Sequence, residues 1–324
     1  MRAMDAYYLL RPMIPRSVQI FLRRLAVQRK REKVADTWPI HRSCYKPPLY
    51  WEGWPEGRRF AVVLTHDVDT AEGQNKSQSL ARLEEEMEVR SSFNFVAKRY
   101  HVSSEIRSYL SENGFEVGVH GLYHDGKLYE SKETFRNRAI QINQYLADWG
   151  AVGFRSPAMH HNLDWIHDFN IEYDASTFDT DPFEPQSDGV GTIFPFMVRG
   201  NGDKEGYIEL PYTLPQDFTL FVLMQERGID IWKKKLDWIA EVGGMALLNT
   251  HPDYMNFGDN PLRNEEYPAA YYKEFLSYLQ GRYRGEYWSA LPRDMARFWR
   301  DISSRETPVM MNGIFGKKPA GQTG

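Results

Sequence analysis

The chain has one cysteine, Cys44, in 324 residues. That excludes an internal disulfide framework and any zinc module built on thiolates. It also lacks a run of eighteen apolar residues, which excludes a membrane-spanning helix. Excess positive charge is missing too. A net charge of −4 does not suit a polycation for nucleic acid, and no nucleic-acid partner is expected. What is present is a globular composition, 42% hydrophobic and 26% charged with 14% aromatics, able to bury a sizeable core. The length fits one large α/β domain with extensions, or two modest domains.

The charge is unevenly spread. Residues 1–34 hold nine Lys/Arg against two Asp/Glu, so the remainder is acidic. In this segment Tyr7, Tyr8, Leu9 and Leu10 form a short apolar run, and Pro12 and Pro15 interrupt it. From Ser17 the pattern is helical, with Val18, Phe21, Leu22 and Leu25 at i, i+3, i+4 and i+7 and basic residues elsewhere. Arginines interrupt the apolar positions and no small-residue cleavage site follows, so this is not a secretory signal. A basic amphipathic helix suits peripheral contact with an anionic membrane or with a partner. It equally suits packing of its apolar stripe on the same chain. Residues 1–57 are thus read as a basic extension plus a lead-in rich in tryptophan and proline (Trp38, Pro47, Pro48, Trp51, Trp54). Residues 58–303 are read as the main domain, and 304–324 as a Gly/Lys/Pro-rich flexible tail.

Within the body, strand patterns alternate with helical ones. Strands are expected at Phe60–Thr65, Ser92–Val96, Phe115–His120, Ala151–Arg155, Ile171–Asp174 and Met245–Asn249. Helices are expected at Ser79–Val89, Glu105–Glu112, Lys132–Trp149, Ile229–Val242, Ala269–Leu279 and Arg293–Ile302. Repeated β-then-α units predict a mostly parallel sheet, open or closed into a barrel. Chemistry in such folds collects where strands end.

Those ends carry reactive groups. Thr65-His66-Asp67-Val68-Asp69 puts two carboxylates at i and i+2, on one side of an extended segment. Close carboxylates want a cation or a proton between them. His120 and His124 lie at i and i+4, the spacing of a metal pair. Two histidines with one or two aspartates give a ligand set with an open position, the pattern of a hydrolytic metal. Further strand ends offer Arg155 before Ser156-Pro157-Ala158, Asp174 after Tyr173, and His251 in Asn249-Thr250-His251-Pro252-Asp253. Each is weak alone, since lone acids, arginines and histidines are mostly structural or solvated. Five successive strand ends with such groups are not ordinary.

These motifs resemble, in order and spacing, the polysaccharide deacetylases, the NodB-homology group of carbohydrate esterase family four. The matching residues are Thr65 to Asp69, His120 to His124 with Gly121 in a Ser/Thr place, Arg155 to Ala158, Asp174, and His251. The resemblance spans roughly residues 58–300. It departs from the family in Val68 between the aspartates, in Ala158 for a tyrosine, and in the lack of a tryptophan near Asp174.

The resemblance implies a distorted (β/α) barrel of the NodB type, here with a basic helical extension. It implies one divalent metal, zinc first and cobalt, nickel or manganese as alternatives, on Asp69, His120 and His124. Asp67 is then the general base, Arg155 its partner, the backbone N–H of Ala158 the oxyanion donor, and His251 the general acid. Asp174 would orient or pair with His251. The substrate would be an N-acetylated glycan or glycolipid, with release of acetate. The aromatic segment Phe178–Pro215, with Phe183 and Tyr212, either forms a sugar-stacking cleft wall or simply covers the barrel. Alternatives are hydrolysis of a cyclic amide, or an inactive carbohydrate-binding homologue. With one cysteine and no export signal, a cytoplasmic enzyme is expected, held peripherally at the inner membrane face by residues 1–34.

Overall fold

The computed structural model describes residues 15–200 and 205–304. The Tyr7–Leu10 run and the tail beyond residue 304 lie outside the described residues. The central strand is β1 (Phe60–Val68), buried along its whole length, as its unbroken apolar run requires. It pairs in parallel with β2 (Ser92–Phe95), β8 (Met245–Thr250) and β11 (Tyr287–Ser289). From β2 the sheet continues through β3 (Glu116–Val119), β4 (Gly153–Phe154), β5 (Tyr173–Asp174), β7 (Tyr207–Glu209) and β6 (Phe196–Val198). Only the β6–β7 pair in this sheet is antiparallel. Isolated parallel bridges Phe178 to Tyr212 and Leu214 to Leu248 lead from the far side back to β8. The sheet therefore curls into a barrel, distorted because β4 and β5 are only two residues long. A separate small pair joins β9 (Met255–Asn256) to β10 (Tyr267–Pro268).

Helices surround the sheet. Each of the first three after β1 starts on a hydroxyl that accepts a backbone N–H: Thr70 for α2 (Ala71–Glu86), Ser103 for α3 (Ser104–Glu112) and Ser131 for α4 (Lys132–Trp149). Such a cap is worth about 1 kcal/mol. The Thr70 cap explains why α2 begins at Ala71, well ahead of the expected Ser79: the first turns are polar and carry no apolar periodicity. A four-residue helix α5 (Leu163–Ile166) follows β4. Helices α6 (Asp230–Val242), α7 (Ala269–Tyr283) and α8 (Pro292–Ser304) complete the shell.

The lead-in is part of the core. Trp54 is buried, its indole N–H donates to the Gly243 carbonyl at 2.8 Å, and its ring stacks on Phe194. Trp51 stacks on Trp299 of α8 at 5.2 Å. The helix α1 (Arg16–Lys33) packs on the body through Ile20 and Val27. Of the two orientations open to the stripe Val18, Phe21, Leu22 and Leu25, the structure shows the outward one. No described helix is long and apolar enough to cross a membrane.

Candidate active site

Parallel pairing aligns the C-terminal ends of β1, β3, β4 and β8, so the residues following them share one edge of the sheet. At that edge one imidazole nitrogen each from His120 and His124 and one carboxylate oxygen of Asp69 lie within 4.8 Å of one another. Asp69 Oδ1 is 3.4 Å from His120 Nε2 and 3.1 Å from His124 Nε2. His120 Nδ1 lies 3.1 Å from the Arg155 carbonyl oxygen. A carbonyl only accepts, so Nδ1 carries the proton and Nε2 turns its lone pair toward Asp69. Burial would raise the Asp69 carboxyl, but His124 and His120 hold it well below the usual range. Its Oδ1 is buried without a hydrogen-bond donor. An ionised oxygen left so, facing two imidazoles, fits a metal-ligand role.

The turn between the histidines is tight. Gly121 has φ of 66°, and a Cβ there would sit 2.7 Å from Pro157. The departure from a Ser/Thr at this place thus has a local reason: the Arg155–Pro157 loop packs directly on the histidine turn. His124 itself has φ of 54°, a conformation uncommon for a side-chain-bearing residue.

Asp67 faces the same space from β1, on the same side as Asp69 and 3.8 Å from His120 Nδ1. Its Oδ1 accepts from Asn94 Nδ2 at 3.0 Å and its Oδ2 from Asn249 Nδ2 at 2.8 Å. Gly118 makes room for Asn94, since a Cβ would lie 2.1 Å from its Oδ1. Arg155 Nη1 reaches Asp67 at 3.4 Å, and bonds more closely to Asn249 Oδ1 at 2.6 Å and Thr65 Oγ1 at 2.7 Å. Burial raises the Asp67 carboxyl, yet His120, Arg155 and His251 together with the Asn94 bond outweigh it and hold it below the usual range. Val68, between the two aspartates, and His66, just before them, point the other way. His66 is fully buried, with Nδ1 2.7 Å from Thr250 Oγ1 and Nε2 3.0 Å from Glu84 Oε1.

His251 follows β8. Its backbone N–H and its Nδ1 each lie 2.7 Å from an Asp217 oxygen, and Tyr267 O–H donates to Asp217 as well, at 2.9 Å. Burial lowers the imidazole pKa, but the Asp217 charge and hydrogen bond dominate and lift it to about 10. His251 is therefore cationic at neutral pH. Ala158 sits exposed in the turn Pro157–Met159 with φ of 54°. The same loop and the histidine turn line a narrow pocket that includes Ser156, Pro157, Tyr129 and His160.

No protein-family model and no curated protein matches the chain. Solved structures do. A chain named as a polysaccharide deacetylase from Mycobacterium smegmatis superposes with a TM-score of 0.59 at 20% identity, covering 83% of this chain and 99% of that one. One from Pseudomonas aeruginosa, also named as a polysaccharide deacetylase, gives 0.61 at 16% identity, covering 79% and 95%. The fold is that of the polysaccharide deacetylases. An allantoinase shares it, with a TM-score of 0.60 at 15% identity over 79% of this chain and 94% of that one.

Within the deacetylase fold, two expectations need correction. Asp174 does not meet His251. It is fully buried at the end of β5, where Oδ1 accepts from Ser176 O–H at 2.7 Å and where it neighbours Glu209. The partner of His251 is Asp217. Tyr212 offers no face to a sugar. It is buried, its ring lies against Phe178 at 5.4 Å, and its O–H donates to Asp181 and Glu184. Phe183 is half-buried with its ring edge-on to Trp38 at 5.0 Å. Asn94, Asn249 and Asp217 escaped the sequence reading. Asn249 stood two residues before His251 on a strand end, which was the available signal. Asn94 and Asp217 had none.

Proposed function

We propose that the chain is a metal-dependent hydrolase that removes the N-acetyl group from an amino-sugar glycan or glycolipid. The reading rests on one observation above the rest: at a single strand edge an Asp-His-His cluster, an ionised aspartate and a cationic histidine converge. Asp69, His120 and His124 would hold one divalent metal. Two imidazoles and a carboxylate suit zinc, with cobalt, nickel or manganese as alternatives. A metal so held supplies Lewis acidity and lowers the pKa of a water to ~7.

The remaining work falls to the chain. Asp67, fixed by Asn94, Asn249 and Arg155, takes a proton from the attacking water. The Ala158 N–H donates to the acyl oxygen as negative charge builds there, an effect on the order of 10²–10³ in rate. His251, kept protonated by Asp217, gives its proton to the departing nitrogen. The C–N bond breaks, leaving acetate and a free amine. Of the two aromatics expected to meet a sugar, Phe183 is the one not fully buried.

Metal content and acetate release on a panel of N-acetylated sugars test this reading. The shared fold of an allantoinase favours a second one, in which a cyclic amide is the substrate. Ring opening without acetate release would establish that alternative, and glycan binding without turnover would establish an inactive binding protein. For the residues, Asp67→Asn should keep the metal and lose at least ~10²-fold in turnover. His120→Ala should lose both. Near-normal turnover in Asp67→Asn would remove Asp67 as the base.

A further inference from the structure

A surface helix ordinarily buries its apolar stripe and shows its charges to water. Helix α1 is docked the other way round. Four of its arginines contact the body: Arg24 donates to the Val222 carbonyl at 2.8 Å and to Asn264 Oδ1 at 2.8 Å, and Arg16 pairs with Glu265 at 2.6 Å. Arg31 pairs with Glu226, and the Arg23 guanidinium lies 4.8 Å over the Phe218 ring. Ile20 and Val27 are buried against the body, but the larger apolar stripe faces out. Phe21 is 59% exposed, Leu22 44%, Val18 43% and Leu25 36%. These are four of the nine exposed large apolar side chains among the described residues, so the exposure is concentrated rather than scattered.

Helical spacing puts the four on one stripe. Arg29 and Lys33 continue it, at i+4 and i+8 from Leu25, and both are exposed. A partner helix would meet apolar surface for the first half of this stripe and, for the rest, the cations Arg29 and Lys33 with the exposed Glu32 between them. A bilayer with anionic lipids matches both halves, since acyl chains take Phe21 and Leu22 while headgroups take Arg29 and Lys33. Helix α1 also borders the catalytic side. Phe218, under Arg23, lies 4.9 Å from the Tyr254 ring, which lies 5.2 Å from that of His251.

We propose that the outward face of α1 seats the protein on an anionic lipid surface, with the His251 side of the site beside the contact. The proposal does not depend on the reaction catalysed. Cosedimentation of the full chain with phosphatidylglycerol/phosphatidylcholine vesicles, against phosphatidylcholine alone, tests it. The full chain should bind the anionic vesicles, and less as salt is raised. Phe21→Ser/Leu22→Ser/Leu25→Ser should weaken binding by more than ~10-fold. Arg29→Gln/Lys33→Gln should weaken it by about 10-fold and flatten the salt dependence. All five side chains are exposed, so an unchanged circular dichroism spectrum and Tm confirm that folding is retained. Absence of binding by the full chain overturns the proposal, as does equal binding by the triple variant. Sedimentation equilibrium showing a dimer that the triple variant abolishes, without vesicle binding, would assign the face to a second copy instead.

Discussion

At the scale of single residues, two buried carboxylates play different parts, one beside the site and one at the far end of β3. Asp217 is the partner that holds the His251 pKa up. Asp217→Asn should drop the His251 pKa from about 10 and move the alkaline limb of the pH–rate profile downward. Turnover should fall on the order of a hundredfold or more. An unmoved limb would mean that Asp217 does not set the charge of His251 during turnover. Glu116 is the other carboxylate. Burial lifts its carboxyl to about 7 against hydrogen bonds from the Arg293 N–H and the Tyr173 O–H. The folded state thus binds this proton more tightly than the unfolded chain does. Its contribution is whole below the ordinary value of 4.5 and is lost as pH rises to about 7, a change on the order of 3 kcal/mol. Urea denaturation from pH 5 to 8 should show a shallower loss of stability in Glu116→Gln than in the wild type. Equal slopes would count against it. Neither Asp217 nor Glu116 could be singled out from sequence. Asp217 meets His251 across 34 residues, and only the fold brings that pair together. Asp67, Asp69, His120, His124 and His251 were legible because each closes a strand that its own apolar pattern announces.

At the scale of elements, legibility follows length and periodicity. Helix α4 was readable at both ends, because its apolar stripe runs from Phe135 to Leu146 and Gly150 in the left-handed conformation stops it. Strands β6, β7, β9, β10 and β11 are two or three residues long, too short for alternation to register. Helix α1 was readable as a helix but not as to which side docks. Its amphipathic pattern points the apolar stripe inward, and Arg16, Arg24 and Arg31 reverse it by finding partners on the body. The lead-in gives an element-scale prediction. Trp54 touches Trp51, Phe194, Phe298 and Trp299, so it ties residues ahead of β1 to α8. Trp54→Ala should cost about 3–5 kcal/mol in urea denaturation. A cost below ~1 kcal/mol would show that the lead-in is dispensable to the body.

At the scale of the whole molecule, the barrel brings together, from beyond the ends of β1 and β3, an Asp-His-His cluster that could hold a metal and that no single element contains. Metal binding should therefore stabilise the entire fold. At a free zinc level a hundred times its dissociation constant, the gain is about 2.7 kcal/mol. Zinc should raise the Tm of the wild type, chelation should reverse the rise, and Asp69→Asn should abolish it. A zinc response that persists in Asp69→Asn would place the ion elsewhere. The architecture also guards where β1 lies. His66 and Asp67 point to opposite faces of the strand, the first into a socket made by Thr250 and Glu84, the second into the site. Sliding β1 by one residue would exchange them. Asp67 would then confront Glu84, buried and also accepting from Ser91, with no cation between two acids. The misaligned strand is thus disfavoured by charge as well as by shape. A chain that folds at all arrives with Asp67 and Asp69 on the side of the two histidines.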